Sequence, residues 1–165
     1  MNVLAVRRGA HGDGSESPFP REALTDLLPQ ADVLMITLPL TACTEGMIGK
    51  AELALLPPRS VLVNVGRGQI VDEEALYRAL RDGTVHAAGL DVWYTYPSDE
   101  ASRLNTPPAA HPFHELDNVV MSPHRAGGGG SQRVEELRMA HLARLLNAAA
   151  AGVEIPDRVD VDAGY

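Results

Sequence analysis

Arg67, Asp91 and His124 each follow a short apolar run. Arg67 comes after Val61-Leu62-Val63-Asn64-Val65-Gly66, Asp91 closes the run that starts at Val85, and His124 follows Asn118-Val119-Val120-Met121 through Ser122-Pro123. Apolar, β-branched runs closed by Gly or Pro read as buried strands of a parallel sheet. Ligands of open α/β sheets bind beyond the carboxyl ends of such strands. An arginine placed there keeps its charge and is costly to desolvate without an anion, so Arg67 suits the bidentate capture of a carboxylate. Each residue also has an ordinary reading: Arg67 as a loop arginine paired with an acid, Asp91 as a turn cap, His124 as a satisfied surface histidine. Three at one sheet edge fit either a reaction site or a structural hydrogen-bond network.

The elements that must position them alternate along the chain. Asn2–Val6 reads as a short strand, followed by Arg7 and Arg8 and by a Gly/Ser/Pro-rich loop to Pro20. Within that loop Gly12-Asp13-Gly14-Ser15-Glu16-Ser17 nearly matches a dinucleotide fingerprint. It lacks the third glycine and opens no helix, so it reads as a plain loop. Arg21–Leu28 predicts a helix with Ala23, Leu24, Leu27 and Leu28 on one face. Asp32–Leu38 predicts a buried strand ended by Pro39. A helix is expected over Ala51–Leu56, stopped by Pro57-Pro58, and the central strand over Val61–Val65. Asp72 caps a helix over Glu73–Arg81, with acids in its first turn and Gly83 past its end. Val85–Val92 and Asn118–Met121 read as strands separated by a proline-rich loop, Tyr94 to Leu116. After Gly127–Gly130, Ser131 is expected to cap a helix over Gln132–Ala150, with Val134, Leu137, His141, Leu142 and Leu145 recurring at helical spacing. This alternation predicts a doubly wound α/β sheet. The expected division is a partial nucleotide-binding domain over residues 1–150 and an extended tail over 151–165.

Composition narrows the class. The 165 residues carry a net charge of −8 and are 45% hydrophobic. That balance suits one domain with a core and disfavours nucleic acid or an anionic membrane as partner. Cys43 is the single cysteine, no metal-ligand spacing of Cys and His occurs, and no long apolar run suggests a membrane span. The expectation is a soluble cytoplasmic protein with no metal.

Four motifs in order resemble the nucleotide-binding half of the D-isomer-specific 2-hydroxyacid dehydrogenases. They are Ala31-Asp32-Val33 through Leu38-Pro39-Leu40-Thr41, Leu62-Val63-Asn64-Val65-Gly66-Arg67-Gly68, Ala88-Gly89-Leu90-Asp91-Val92, and Ser122-Pro123-His124-Arg125-Ala126-Gly127. The resemblance implies a Rossmann-like sheet and hydride transfer between NAD or NADP and a small 2-keto or 2-hydroxy acid. It implies that Arg67 holds the substrate carboxylate and polarises the carbonyl, and that His124 exchanges the proton. Histidine, which titrates near neutrality as a residue type, suits that task. It further implies that Asp91 meets the nicotinamide side of the cofactor, and that Leu38, Pro39, Thr44, Val65, Gly66 and Gly127 flank the cofactor along with Arg67 and His124. Homodimers are usual in the family.

Three departures from the family pattern stand out. Most members place a glutamate before the proline that follows the aspartate, where it orients the histidine. Here that position is Tyr96, before Pro97, so Tyr96 joins the candidate catalytic set; formate dehydrogenases carry a neutral glutamine there. NAD-specific members end an early strand in an acid, whereas this chain has Arg7, which suits the 2′-phosphate of NADP. Members also run to roughly twice this length, and the Gly-x-Gly-x-x-Gly turn and its central strand are not in this sequence. A C-terminal fragment of such an enzyme is therefore the leading expectation. The alternative is a non-catalytic remnant, or a partial subunit that needs a separate N-terminal partner.

Overall fold

Short parallel strands need crossover connections, and the amphipathic runs between the apolar ones supply most of them. The computed structural model describes residues 1–6, 21–127 and 131–159. The elements are α1 (Arg21–Leu27), β1 (Val33–Ile36), α2 (Lys50–Leu55), β2 (Val61–Asn64), α3 (Glu73–Arg81), β3 (Ala87–Leu90), β4 (Val119–Met121) and α4 (Gln132–Ala150), with single 3-10 turns between some of them. The strands form one sheet in the order β1-β2-β3-β4, and every neighbouring pair is parallel. The register aligns Ile36 with Asn64, Asn64 with Leu90, and Leu90 with Met121. All four carboxyl ends therefore lie along one edge. Two compact units divide the chain, Met1–His124 and Arg125–Tyr165; the sheet belongs to the first and α4 to the second.

Period-2 alternation sends one set of strand side chains into the core of the first unit. Ile36, Leu62, Asn64, Ala88 and Leu90 are buried, together with Leu53 of α2 and Leu76, Ala79 and Leu80 of α3. Burying each such leucine contributes roughly 1.5–3 kcal/mol. Local chemistry sets the ends of α3: the Asp72 carboxylate accepts from the Ala75 N–H at 2.7 Å, and Gly83 turns the chain at φ 81°. Asn118 ties the start of β4 inward by donating to the carbonyls of Leu80 and His86.

Several sequence expectations are corrected. Asn2–Val6 forms no strand; apolar β-branched character makes a strand only where a ladder partner is in place. Asp32–Leu38 is not a buried strand. Only Val33–Ile36 is ordered as β1, with Val33 and Met35 exposed at 58% and 60%, because β1 is an edge and these side chains face away from the core. Val120 on the other edge strand is likewise 73% exposed. Ser131 precedes α4 but makes no side-chain cap bond; its carbonyl accepts from Val134 and Glu135 instead. Leu137, Met139, Leu142 and Leu146 of α4 are exposed. Arg7, Arg8 and the glycine-containing loop after them lie outside the described residues.

The segments beyond the strand ends pack at backbone distance. A Cβ on Gly66 would lie 2.6 Å from the Leu38 carbonyl oxygen, and one on Gly68 would lie 2.5 Å from that of Trp93. The loop after β1 is also held to the one after β2, with Gly46 donating to Gln69, Ile48 to Ile70, and Asp72 to Ile48. A methyl group at position 68 meets main chain that has no rotamer to give. Gly68→Ala is therefore expected to lower stability by about 1–3 kcal/mol in urea unfolding. An unchanged midpoint would show that the two loops can separate without cost.

Candidate active site

Asn64, the last residue of β2, is the polar member of an inward-facing pair with Leu62. Its side chain is fully buried and knits the turn that follows: Oδ1 accepts from the Gly66 N–H at 3.0 Å, and Nδ2 donates to the Arg67 carbonyl at 2.9 Å. The turn presents Arg67 at the surface, where Nη1 donates to the Gly66 carbonyl at 2.7 Å. The desolvation cost expected for this arginine is absent because it is exposed. One of its N–H donors fixes the head, and the others can take a carboxylate.

Asp91 follows β3. It is buried, and its N–H donates to the Asn64 carbonyl at 3.0 Å, which extends the ladder one step past the strand. Trp93, also buried, couples two loops: its indole N–H donates to the Ser122 carbonyl at 2.9 Å. That bond brings the segment carrying Tyr96 to the one carrying His124. The Tyr96 oxygen accepts from the Trp93 N–H at 3.0 Å and lies 3.2 Å from His124 Nδ1, with the two rings tilted at 49°. His124 has φ 56°, a left-handed conformation that costs a non-glycine residue on the order of 1 kcal/mol.

The remaining expected residues divide by accessibility. Leu38, Pro39 and Val65 are half-buried and present apolar surface at the same sheet edge. Gly66 is buried against Leu38. Thr44, expected to flank a cofactor, is fully buried; its hydroxyl donates to the Pro39 carbonyl at 2.7 Å and accepts from the Thr41 N–H at 2.8 Å. It offers a ligand no surface and acts by holding the loop that carries Leu38 and Pro39. Gly127 is exposed and belongs to the second unit. Among the described residues no group of three or more His, Cys, Asp or Glu side chains could hold a metal.

The proline-rich segment after Tyr94 is anchored by aromatic rings, a contact that sequence reasoning missed. Tyr77 of α3 stacks on His111 at 4.9 Å and meets Phe113 edge-on at 5.5 Å, while Tyr94 stacks on Phe113 at 6.4 Å. Burial, with Glu73 and Asp72 adding to it, pushes the Tyr94 phenol well above its ordinary range and keeps it neutral. Asn64, Gly68 and Trp93 were also missed as positioning residues. Only Asn64 carried a signal, as a lone amide at an inward position of an apolar strand.

Comparison with known proteins places this geometry. Residues 1–126 match the family of D-isomer specific 2-hydroxyacid dehydrogenases, in its NAD binding domain. The glyoxylate/hydroxypyruvate reductase B of Pectobacterium atrosepticum is 43% identical over 125 residues, which cover 75% of this chain and 36% of that protein. The reductase of the same name from Yersinia pestis is 38% identical over 156 residues, 93% of this chain and 44% of that one. The chain thus spans less than half the length of these two relatives. A solved D-isomer specific 2-hydroxyacid dehydrogenase from Xanthobacter autotrophicus, in complex with NADPH and MES, superimposes with a TM-score of 0.72 at 32% identity, covering 87% of this chain and 54% of that one. The NADPH-dependent glyoxylate/hydroxypyruvate reductase of Sinorhizobium meliloti, solved with NADP and sulfate, gives 0.70 at 28% identity, covering 87% and 43%. With most of its length matched and its Arg67, Asp91 and His124 on one parallel sheet edge, the chain belongs to the D-isomer-specific 2-hydroxyacid dehydrogenase family.

Proposed function

We propose that this chain is the catalytic-residue-bearing part of an NAD(P)-dependent reductase of small 2-keto acids, of the glyoxylate or hydroxypyruvate kind named for its relatives. The observation that carries this reading is the sheet edge itself. The loops that bear Arg67, Asp91 and His124 are joined there through Asn64, Trp93 and Ser122. Arg67 clamps the substrate carboxylate and polarises the adjacent carbonyl. His124 exchanges the proton at the carbonyl oxygen. Tyr96 meets the histidine where most of the family has an acid.

The residues present fit the nicotinamide end of the cofactor. Leu38, Pro39 and Val65 offer half-buried apolar surface on the edge that Asp91 also occupies, with Gly66 packed behind. When bound, the cofactor supplies or takes the hydride. By the family pattern Gly127 also flanks the cofactor, and Arg7 stands at the position that meets its ribose 2′ group. Arg7 favours NADP, and the cofactors named for the Xanthobacter and Sinorhizobium proteins point the same way. Thermal unfolding of the purified chain with millimolar NADPH and NADH tests this, because a ligand stabilises only the state that binds it. A cooperative transition raised more by NADPH is expected. A transition unmoved by either supports the second reading, a partial subunit completed by a separate segment that carries the phosphate-binding turn. The reading further takes residues 1–150 as one nucleotide-binding domain of the family kind, although two compact units divide the chain between His124 and Arg125, with a tail after it, a homodimer as the assembly and the cytoplasm as the compartment. Among the described residues no helix is long and apolar enough to cross a membrane.

Substitution separates the roles in whatever assembly reduces glyoxylate. Arg67→Gln is expected to lower kcat/KM about 100-fold, a loss typical of one transition-state donor. His124→Asn is expected to lower kcat about 10²–10⁴-fold while leaving thermal stability unchanged or higher, since asparagine adopts the left-handed backbone more readily. Full turnover in either variant would remove that residue from the chemistry.

A further inference from the structure

We propose that Tyr96 is a positioning residue that holds His124 in a single neutral tautomer, with the proton on Nε2. The argument follows one chain of donors. The Trp93 N–H is a main-chain donor whose direction is set by its surroundings: the Trp93 indole is bonded to Ser122, and its carbonyl lies against Gly68. This N–H points at the Tyr96 oxygen at 3.0 Å, so that oxygen accepts. The phenol retains one proton to give, and among the described residues the partner within reach is His124 Nδ1 at 3.2 Å. A neutral imidazole carries one N–H, so a nitrogen that accepts at Nδ1 leaves the proton on Nε2.

A carboxylate at position 96 would impose the opposite arrangement. It only accepts, so it would hold the proton on Nδ1 and leave Nε2 bare. A bare Nε2 is a base, suited to taking a proton from an alcohol. A protonated Nε2 is a donor, suited to a carbonyl oxygen. With tyrosine in place, the neutral histidine presents a hydrogen-bond donor that orients a keto acid, whereas the proton passed to the carbonyl oxygen comes from the imidazolium, which carries both N–H groups. This functional meaning rests on the dehydrogenase reading above. The tautomer itself does not.

Long-range ¹H–¹⁵N correlation spectra of the chain, labelled at its six histidines, test the tautomer directly. The measurement is made at about pH 9, where an ordinary histidine is neutral. His124 is identified by the signal lost in His124→Asn. The expected spectrum shows Nδ1 as an unprotonated, accepting nitrogen and Nε2 as protonated. A hydrogen bond of ordinary net strength shifts such a two-state ratio about fivefold. Tyr96→Phe is expected to return His124 to a mixture, and Tyr96→Glu to reverse it in favour of Nδ1–H. A wild-type spectrum with the proton on Nδ1, or one unaltered by Tyr96→Phe, overturns the proposal. Should either variant fail to fold, a wild-type proton on Nδ1 still overturns the proposal, and an Nδ1 ¹⁵N resonance shifted upfield from that of a free imidazole nitrogen, the mark of an accepted hydrogen bond, supports it. No turnover is needed, so this result and that of the substrate assay stand apart.

Discussion

The two hydrogen bonds of the buried Asn64 side chain are the constraint on which the rest of the site depends. A parallel strand loses its ladder where pairing stops, and the backbone beyond needs other partners. Asn64 supplies them from within, accepting from Gly66 and donating back to the Arg67 carbonyl. The resulting turn brings Gly66 and Gly68 against the backbones of Leu38 and Trp93, approaches too close for any Cβ. Arg67 is thus held between two glycines whose lack of side chains lets three loops share one edge. An aspartate here could accept from Gly66 but could not donate to Arg67, and a leucine could do neither.

Much of this was legible from sequence, in proportion to how local its cause was. α3 begins and ends where Asp72 and Gly83 place it, because a cap and a left-handed glycine act within one turn. β2, β3 and β4 fall inside the apolar runs that announced them. The failures are nonlocal. Asn2–Val6 has strand composition but no strand partner among the described residues, and β1 has the composition of a central strand while it stands at an edge of the described sheet. Thr44 matched a cofactor-flanking position by motif, yet burial turns its hydroxyl toward Pro39 and Thr41. The rings of Tyr77, Tyr94, His111 and Phe113 lie far apart in the chain, and no periodicity connects them.

The apolar surface follows the same logic. Val33, Met35 and Val120 share the sheet face opposite the buried set, and an all-parallel sheet is ordinarily covered on both faces. In the second unit, α4 keeps its length with Leu137, Met139, Leu142 and Leu146 exposed, supported by surface pairs such as Arg138–Glu135 and Arg144–Asp157. Exposed pairs of this kind contribute only a few tenths of a kcal/mol each. Helix propensity contributes to α4 as well: alanine, leucine, glutamate and arginine fill most of its sequence.

The site separates the residues that react from those that place them. Arg67, Tyr96 and His124 are exposed, as groups that meet a substrate must be, whereas Asn64, Gly66, Gly68 and Trp93 are buried. An exposed side chain on a loop has many rotamers, and a catalytic geometry cannot tolerate them. Here each exposed group is tied at one point: Arg67 to the Gly66 carbonyl, Tyr96 to the Trp93 N–H, and His124 to Tyr96. The left-handed backbone of His124 belongs to the same arrangement. It costs free energy that a surface turn would ordinarily shed, and it persists because the indole of Trp93 fixes Ser122, two residues upstream. A histidine in a turn is common. A histidine strained into place, with its Nδ1 in contact with a phenol already engaged by the backbone, has had its orientation chosen by the fold.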